Sequence, residues 1–146
     1  MKVQILGLPL DLGANRRGVD MGPSAIRIAG MAEKLQHIGH SIIDAGDLEV
    51  FVPEVLKIED SKLKYLREIT KSVTHLADEV TRTVENGHFP LVLGGDHSIA
   101  VGTIGGVSRF LRKRNKKLGV IWVDAHGDMN THETTLSGNI HGMSFA

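Results

Sequence analysis

Residues 61–93, SKLKYLREITKSVTHLADEVTRTVENGHFPLVL, carry two hydrophobic periods in succession. Leu63, Leu66, Ile69, Val73, Leu76, Val80 and Val84 recur at spacings of three and four, forming one apolar stripe on a helix predicted over 61–86. Asp60 or Ser61 is placed to cap its start, and Gly87 to end it. The next run, Phe89 to Leu93, is continuously apolar rather than alternating, which suits a strand covered on both faces. A long amphipathic helix feeding such a strand is half of a βαβ unit, so the fold depends on whether the flanking sequence repeats the pattern.

It does so in both directions. Upstream, Val3 to Leu8 is an apolar run fit for a buried strand, and it opens into DLGANRRGVDMG, a polar, glycine-rich loop. Pro23 then offers a first-turn start for a helix through PSAIRIAGMAEKLQ, and Ser41 to Ile43 form a short strand closing at AGD. Residues 47–60 are the least patterned. Downstream, Ile99 to Arg112 is a glycine-containing helix and Leu118 to Val123 a fourth strand. Strands alternating with helices predict an α/β fold, three layers in αβα order on a mainly parallel sheet with right-handed crossovers. Ligands of such sheets bind beyond the carboxyl ends of the strands.

With 146 residues, residues 1–146 form one domain. Seventeen basic residues balance seventeen acidic ones, so no net field draws the chain to nucleic acid or anionic lipid. The basic run RKRNKK, Arg112 to Lys117, falls between a helix and a strand and is expected to be a solvated turn. With no cysteine, disulfides, thiolate metal sites and cysteine nucleophiles are excluded, and a cytoplasmic location is expected. The N-terminus lacks the pattern of a signal peptide, and no run is long enough to span a membrane.

The chemistry concentrates at two predicted strand ends, LVLGGDHS (91–98) and WVDAHGDMN (122–130). Alternate residues leaving a strand point the same way, so Asp124, His126 and Asp128 are expected to converge, with His97 from the neighbouring strand. Carboxylate and imidazole without sulfur favour manganese, magnesium, iron or zinc. The bland alternatives are a satisfied buried histidine at 97 and a helix cap at 128. Asp96 is expected to orient the loop or accept a hydrogen bond behind the ligands. Asp11, Arg16, Arg17 and Asp20 suit a salt-bridged, solvated loop. His37, His40, His75, His88 and His132 suit the surface, and Trp122 and Phe89 the core. In NTHETTLSGNIHGM (130–143), Asn130, Thr135 and Ser137 are of the type that holds a small carboxylate through neutral donors, and His141 could move a proton near neutral pH.

DLGANRRGVDMGPSAIR, LVLGGDHS, WVDAHGDMNT and SGNIHGM, in that order and spacing, resemble the N-terminal part of bacterial-type members of the arginase (ureohydrolase) family across essentially the whole chain. The resemblance implies hydrolysis of L-arginine to L-ornithine and urea by a hydroxide bridging two Mn²⁺, in a soluble trimer or hexamer. It implies a central eight-stranded parallel sheet, of which this chain would hold an incomplete half of about four strands. By likeness, His97, Asp124 and Asp128 would ligate one manganese and Asp124 and His126 the other. Asp128 and His141 would serve catalysis, His141 as proton shuttle, while Asn130, Thr135, Ser137 and His126 would bind substrate.

The likeness has departures. Leu136 and Ser144 stand where relatives usually show proline. The family's later Asp-x-Asp ligand pair and a glutamate for the guanidinium have no counterpart here. Two divalent ions bring four positive charges against the two negatives of Asp124 and Asp128, so the isolated chain is expected to hold metal weakly, turn over little and expose strand edges. The alternatives are an agmatinase-like amidinohydrolase, a non-catalytic remnant that binds metal weakly, and a metallophosphoesterase, whose motifs GGDHS and DAHGD faintly match without the right spacing.

Overall fold

The order of elements follows the alternation of hydrophobic periods. The computed structural model describes all residues 1–146: β1 (Lys2–Leu8), α1 (Gly22–Ile28), α2 (Met31–His37), β2 (Ser41–Asp47), α3 (Leu66–Glu85), β3 (Phe89–Gly94) and α4 (Ile99–Arg112). The strands form one parallel sheet in the order β2-β1-β3, with Val3 opposite Ile42 on one side and Ile5 opposite Leu91 on the other. The chain moves from β1 outward to β2, then returns past β1 to β3. Two right-handed crossovers in opposite directions put their helices on opposite faces. Accordingly α1 packs on β3 and α2 on β2, whereas α3 covers β1 and β3 from the other side. The fold is α/β, an incomplete αβα arrangement.

Alternation along β1 divides its side chains between the layers. Leu6 and Leu8 join Ile69, Val73, Leu76 and Val80 of α3 in the main core, which Leu10 and Leu12 extend beyond the strand end. Helix α4 packs along α3 at very short range. A Cβ at Gly102 would lie 2.5 Å from the Val73 carbonyl oxygen, and one at Gly106 2.6 Å from that of Ala77. Only residues without a side chain allow the two backbones to approach so closely.

Several boundaries differ from the sequence reading. The helix expected from 61 begins at Leu66; Tyr65 before it is left-handed (φ 55°), and Asp60 Oδ1 accepts the Lys62 N–H, closing a turn instead of capping a helix. The helix expected through PSAIRIAGMAEKLQ is two helices, broken where Gly30 adopts φ 77°. The second strand runs on to Asp47.

The expected fourth strand is corrected. Residues 118–123 pair with nothing, Ile121 and Val123 are about 90% exposed (92% and 90%), and the sheet has three strands. A strand exists only with a ladder partner. The outer edge of β3 does not supply one, and Val120 to Val123 instead face Val92, Ile99 and Ile104 across an apolar groove. Because β3 is therefore an edge, Phe89 is half exposed rather than core. No helix is long and apolar enough to cross a membrane.

Arg27 ties α1 to β2. Its Nε donates to Asp44 Oδ2 at 2.7 Å, Nη2 to Asp44 Oδ1 at 3.0 Å and Nη1 to Asp47 Oδ1 at 2.5 Å. The Arg27 hydrogen bonds, helped by the Gly46 N–H against an opposing effect of burial, hold the Asp44 carboxyl below its ordinary 3.8. A depressed folded-state value means stability present above the unfolded pKa and lost as pH falls through the folded one. Asp44→Asn is expected to cost about 0.5–1 kcal/mol at pH 7, the pair being partly solvated. The deficit should shrink as pH drops below 4, as urea denaturation at pH 7 and pH 3 would show. An equal deficit at both pH values would contradict the assignment.

Candidate metal centre

The site starts from a lock between two strand-end loops. Beyond β1 and β3, the Gly95 N–H donates to Leu8 O at 3.2 Å and the Asp96 N–H to Leu10 O at 2.7 Å. The buried Asp96 carboxylate accepts the Ser98 N–H (2.9 Å) and the Ser98 hydroxyl through Oδ1, and the Ala14 N–H (3.1 Å) through Oδ2. Asp96 thus orients the loop, as expected, and does not face the site. Its neighbour His97 lies between the end of β3 and the start of α4 and is partly exposed.

Three of the four candidate ligands meet there. His97 Nδ1 lies 2.9 Å from Asp124 Oδ2 and 2.9 Å from Asp128 Oδ2. One ligand atom from each of these residues fits within 4.8 Å of the others. His126 is turned to the other oxygen of Asp124: its Nδ1 is 3.2 Å from Oδ1, and its ring is 82% exposed. The convergence therefore does not come from strand alternation. Asp124 Oδ1 accepts the His126 N–H at 2.6 Å, making a tight turn, and Asp128 adopts φ 49°. This loop geometry sends the Asp128 carboxylate back beside Asp124.

The charge and donor types at this point suit a cation. The Asp128 carboxylate is only 8% exposed and shares the His97 nitrogen with a second carboxylate. Two carboxylates converge on one imidazole nitrogen, an arrangement that a cation between them would stabilise. The His126 N–H above all, then its side chain and the charges of His97 and His126, hold the Asp124 carboxyl below its ordinary range despite opposing desolvation. The donors are carboxylate oxygen and imidazole nitrogen only, a set suited to a hard or borderline divalent ion. His97, Asp124 and Asp128 fit one such ion, while the second oxygen of Asp124 faces His126.

The group lies in a cavity of about 490 Å³ that also takes in Asn130, Thr135, Ser137, Asn139 and His141, with Met129 its one apolar wall. The hydrogen bonds of its polar loop share a direction. Thr135 Oγ1 accepts the Gly138 N–H (2.9 Å), Ser137 Oγ accepts the Asn139 N–H (3.2 Å), and Asn130 Oδ1 accepts the Thr134 hydroxyl (3.3 Å). Their acceptor sides are engaged, while two hydroxyl protons and the Asn130 amide protons have no acceptor within the chain. Three uncommitted neutral donors in one cavity suit an anionic ligand group such as a carboxylate. The His141 backbone N–H donates to Gly13 O at 3.2 Å, which anchors this loop to the loop after β1.

Three contributors were missed or misassigned in the sequence. Trp122, expected in the core, stacks on His97 (centroids 4.4 Å apart) and on Phe145 (5.0 Å), buttressing the histidine. Asn139 lines the cavity and donates through Nδ2 to Ala14 O at 3.0 Å. Lys62 reaches this loop from 73 residues away. No sequence signal marks it, because contact across that distance is set by packing. The first loop is salt-bridged as expected, with Arg17 on Asp11, Asp20 and Glu54, while Arg16 is exposed. Asp11, however, is buried rather than solvated, and burial pushes its carboxyl up against the pull of Arg17.

Comparison with known proteins gives a consistent result. The Arginase family profile matches residues 1–146. The chain is 52% identical over 145 residues to an arginase of Bacillus caldovelox, covering 99% of this chain and 47% of that protein. The native structure of the Bacillus caldovelox arginase superposes with a TM-score of 0.90 at 51% identity, over 98% of this chain and 47% of that one. An Entamoeba histolytica arginase solved in complex with L-ornithine gives a TM-score of 0.84 at 33% identity, over 98% and 47%. The chain spans about half the length of the curated relatives it matches.

Proposed function

Since this chain belongs to the arginase family, we propose that it carries the cation-holding and carboxylate-holding part of an enzyme that hydrolyses L-arginine to L-ornithine and urea. The observation that supports this is one cavity in which the His97–Asp124–Asp128 group faces the uncommitted donors of Asn130, Thr135 and Ser137. His97, Asp124 and Asp128 would hold one Mn²⁺, and Asp124 with His126 a second. When bound, manganese supplies Lewis acidity and a water acidified towards neutrality.

The chain's own groups do the rest. Asn130, Thr135 and Ser137 donate to the substrate α-carboxylate and fix the guanidinium end towards the metal-holding residues. Asp128 and His126 flank that end, Asp128 as an acceptor for substrate N–H groups. Water adds its oxygen to the guanidino carbon, the C–N bond to the ornithine nitrogen breaks, and the His141 imidazole passes a proton to that departing amine nitrogen, so that urea and ornithine are released. The carboxylate-directed donors favour L-arginine over agmatine, which lacks the α-carboxylate.

Two aspartates balance only half the charge of two divalent ions. A second divalent ion therefore needs further carboxylates, and the chain spans about half the length of the relatives it matches. The chain alone is expected to bind Mn²⁺ with modest affinity and to release little urea. Trp122 is the sole tryptophan and stacks on His97, so Mn²⁺ titration should change its fluorescence. No change up to millimolar Mn²⁺ would overturn the metal assignment. Release of urea from agmatine in preference to L-arginine, by the chain joined to the remaining length of a relative, would replace the substrate assignment with the agmatinase-like one.

A further inference from the structure

The segment leading into α3 is pressed against the donor loop of the cavity. Lys62 Nζ donates to Thr135 O at 2.7 Å across 73 residues of sequence. The Lys64 N–H donates to Gly138 O at 3.0 Å, and Lys64 Nζ reaches Asn139 Oδ1 at 3.4 Å. Between these contacts the two backbones touch: Gly138 has φ 70°, and a Cβ there would fall 1.9 Å from Ser61 O. Lys62 is itself held, since Asp60 Oδ1 accepts its N–H at 2.7 Å. The late start of α3 thus coincides with the use of 61–64 as a strap over residues 135–139.

The chemistry of the contact is directional. An ammonium on the Thr135 carbonyl makes a charge-assisted bond, stronger than a neutral one, and fixes the peptide from which the buried Thr135 side chain projects. It also adds positive charge beside a cavity end whose own donors are neutral, where an anionic ligand group gains most. Lys64 holds the far end of the same turn, next to Ser137 and Asn139.

We propose that Lys62, assisted by Lys64, is a specificity-determining positioning residue: through Thr135 O it sets the donor loop for a carboxylate and so separates L-arginine from its decarboxylated counterpart. The inference rests on the arginine reading above. It is tested with wild type, Lys62→Met and Lys62→Arg, hydrogen exchange being read on the 146-residue chain and ligand binding on that chain joined to the remaining length of a relative.

Amide hydrogen exchange without ligand reads the strap. Lys62→Met is expected to speed exchange at Thr135 and Gly138 by about tenfold, Lys62→Arg by less than about threefold, with the amides of α3 unchanged as the control for folding. Trp122 fluorescence in the presence of Mn²⁺ reads binding of L-arginine against agmatine. Lys62→Met is expected to weaken L-arginine about tenfold and agmatine less than about twofold, with Lys62→Arg close to wild type. Unchanged exchange in Lys62→Met, or equal weakening of both ligands, overturns the proposal. If wild type binds neither ligand while exchange still rises in Lys62→Met, the specificity assignment falls because the arginine reading has failed; if exchange is also unchanged, the strap has failed.

Discussion

Asp124→Ala is expected to weaken Mn²⁺ binding at least a hundredfold while leaving the fold intact. Asp124 is the one residue that reaches both sides of the centre: Oδ2 faces His97 and, across it, Asp128, and Oδ1 faces His126. Its loss removes one of two carboxylates, so a divalent ion would be left with a single negative charge. Losing even a hydrogen-bond partner behind a metal ligand costs about 10–100-fold in affinity, and losing the shared ligand itself should cost more. Stability should change little, because the carboxylate belongs to a loop without ladder bonds. Calorimetric titration and Trp122 fluorescence measure the affinity, and thermal unfolding of the apo chain controls for folding. Asp124→Asn, which keeps an oxygen but not the charge, should fall between wild type and alanine. Equal affinity in wild type and Asp124→Ala would remove the metal centre from the account.

The second large effect lies away from the cavity but beneath it. Gly106→Leu is expected to destabilise the chain by about 3–5 kcal/mol, within the range of the severe core substitutions. A Cβ at 106 would lie 2.6 Å from Ala77 O and 2.8 Å from Val80 Cβ, so α4 would have to move off α3 and open the core around Leu76 and Val80. Thr81 Oγ1, which donates to Ala77 O at 2.7 Å and lies 3.1 Å from Gly106 O, would also be disturbed. Gly105, one residue earlier, provides the internal contrast: a Cβ there meets nothing within 4 Å. Gly105→Ala should therefore stabilise by up to about 1 kcal/mol, through helix propensity alone. Urea denaturation midpoints of the two variants should move in opposite directions. A loss of similar size in both would mean that α4 does not tolerate side chains generally and that the close crossing is not the cause. Because His97 lies just before Ser98, the cap residue of α4, Gly106→Leu should also weaken Mn²⁺ binding in whatever fraction remains folded.

The two variants separate the features open to sequence reasoning from those that are not. The ligand types, the strand-end placement of His97 and the polar character of 130–143 follow from local chemistry, and the structure gathers His97, Asp124, Asp128 and the loop donors into one cavity. The route by which Asp124 and Asp128 converge was not legible as alternation. It depends on an Asx turn and a left-handed residue, and both arise from a loop rather than a strand. Gly102 and Gly106 could be seen in a helix, but their purpose depends on which carbonyls of α3 lie opposite.

Hydrophobic period and residue chemistry by themselves determined the α/β alternation, the amphipathic face of α3, the apolar β1 and β3, and the oxygen and nitrogen character of the site, because each is a property of neighbours along the chain. Tertiary structure alone decided that 118–123 goes unpaired, that the first turn of α3 is given over to a strap, and that Lys62 meets Thr135. A ladder partner, a buried carbonyl and a lysine 73 residues away are brought to a position by packing, and no local pattern encodes what packing will place opposite it.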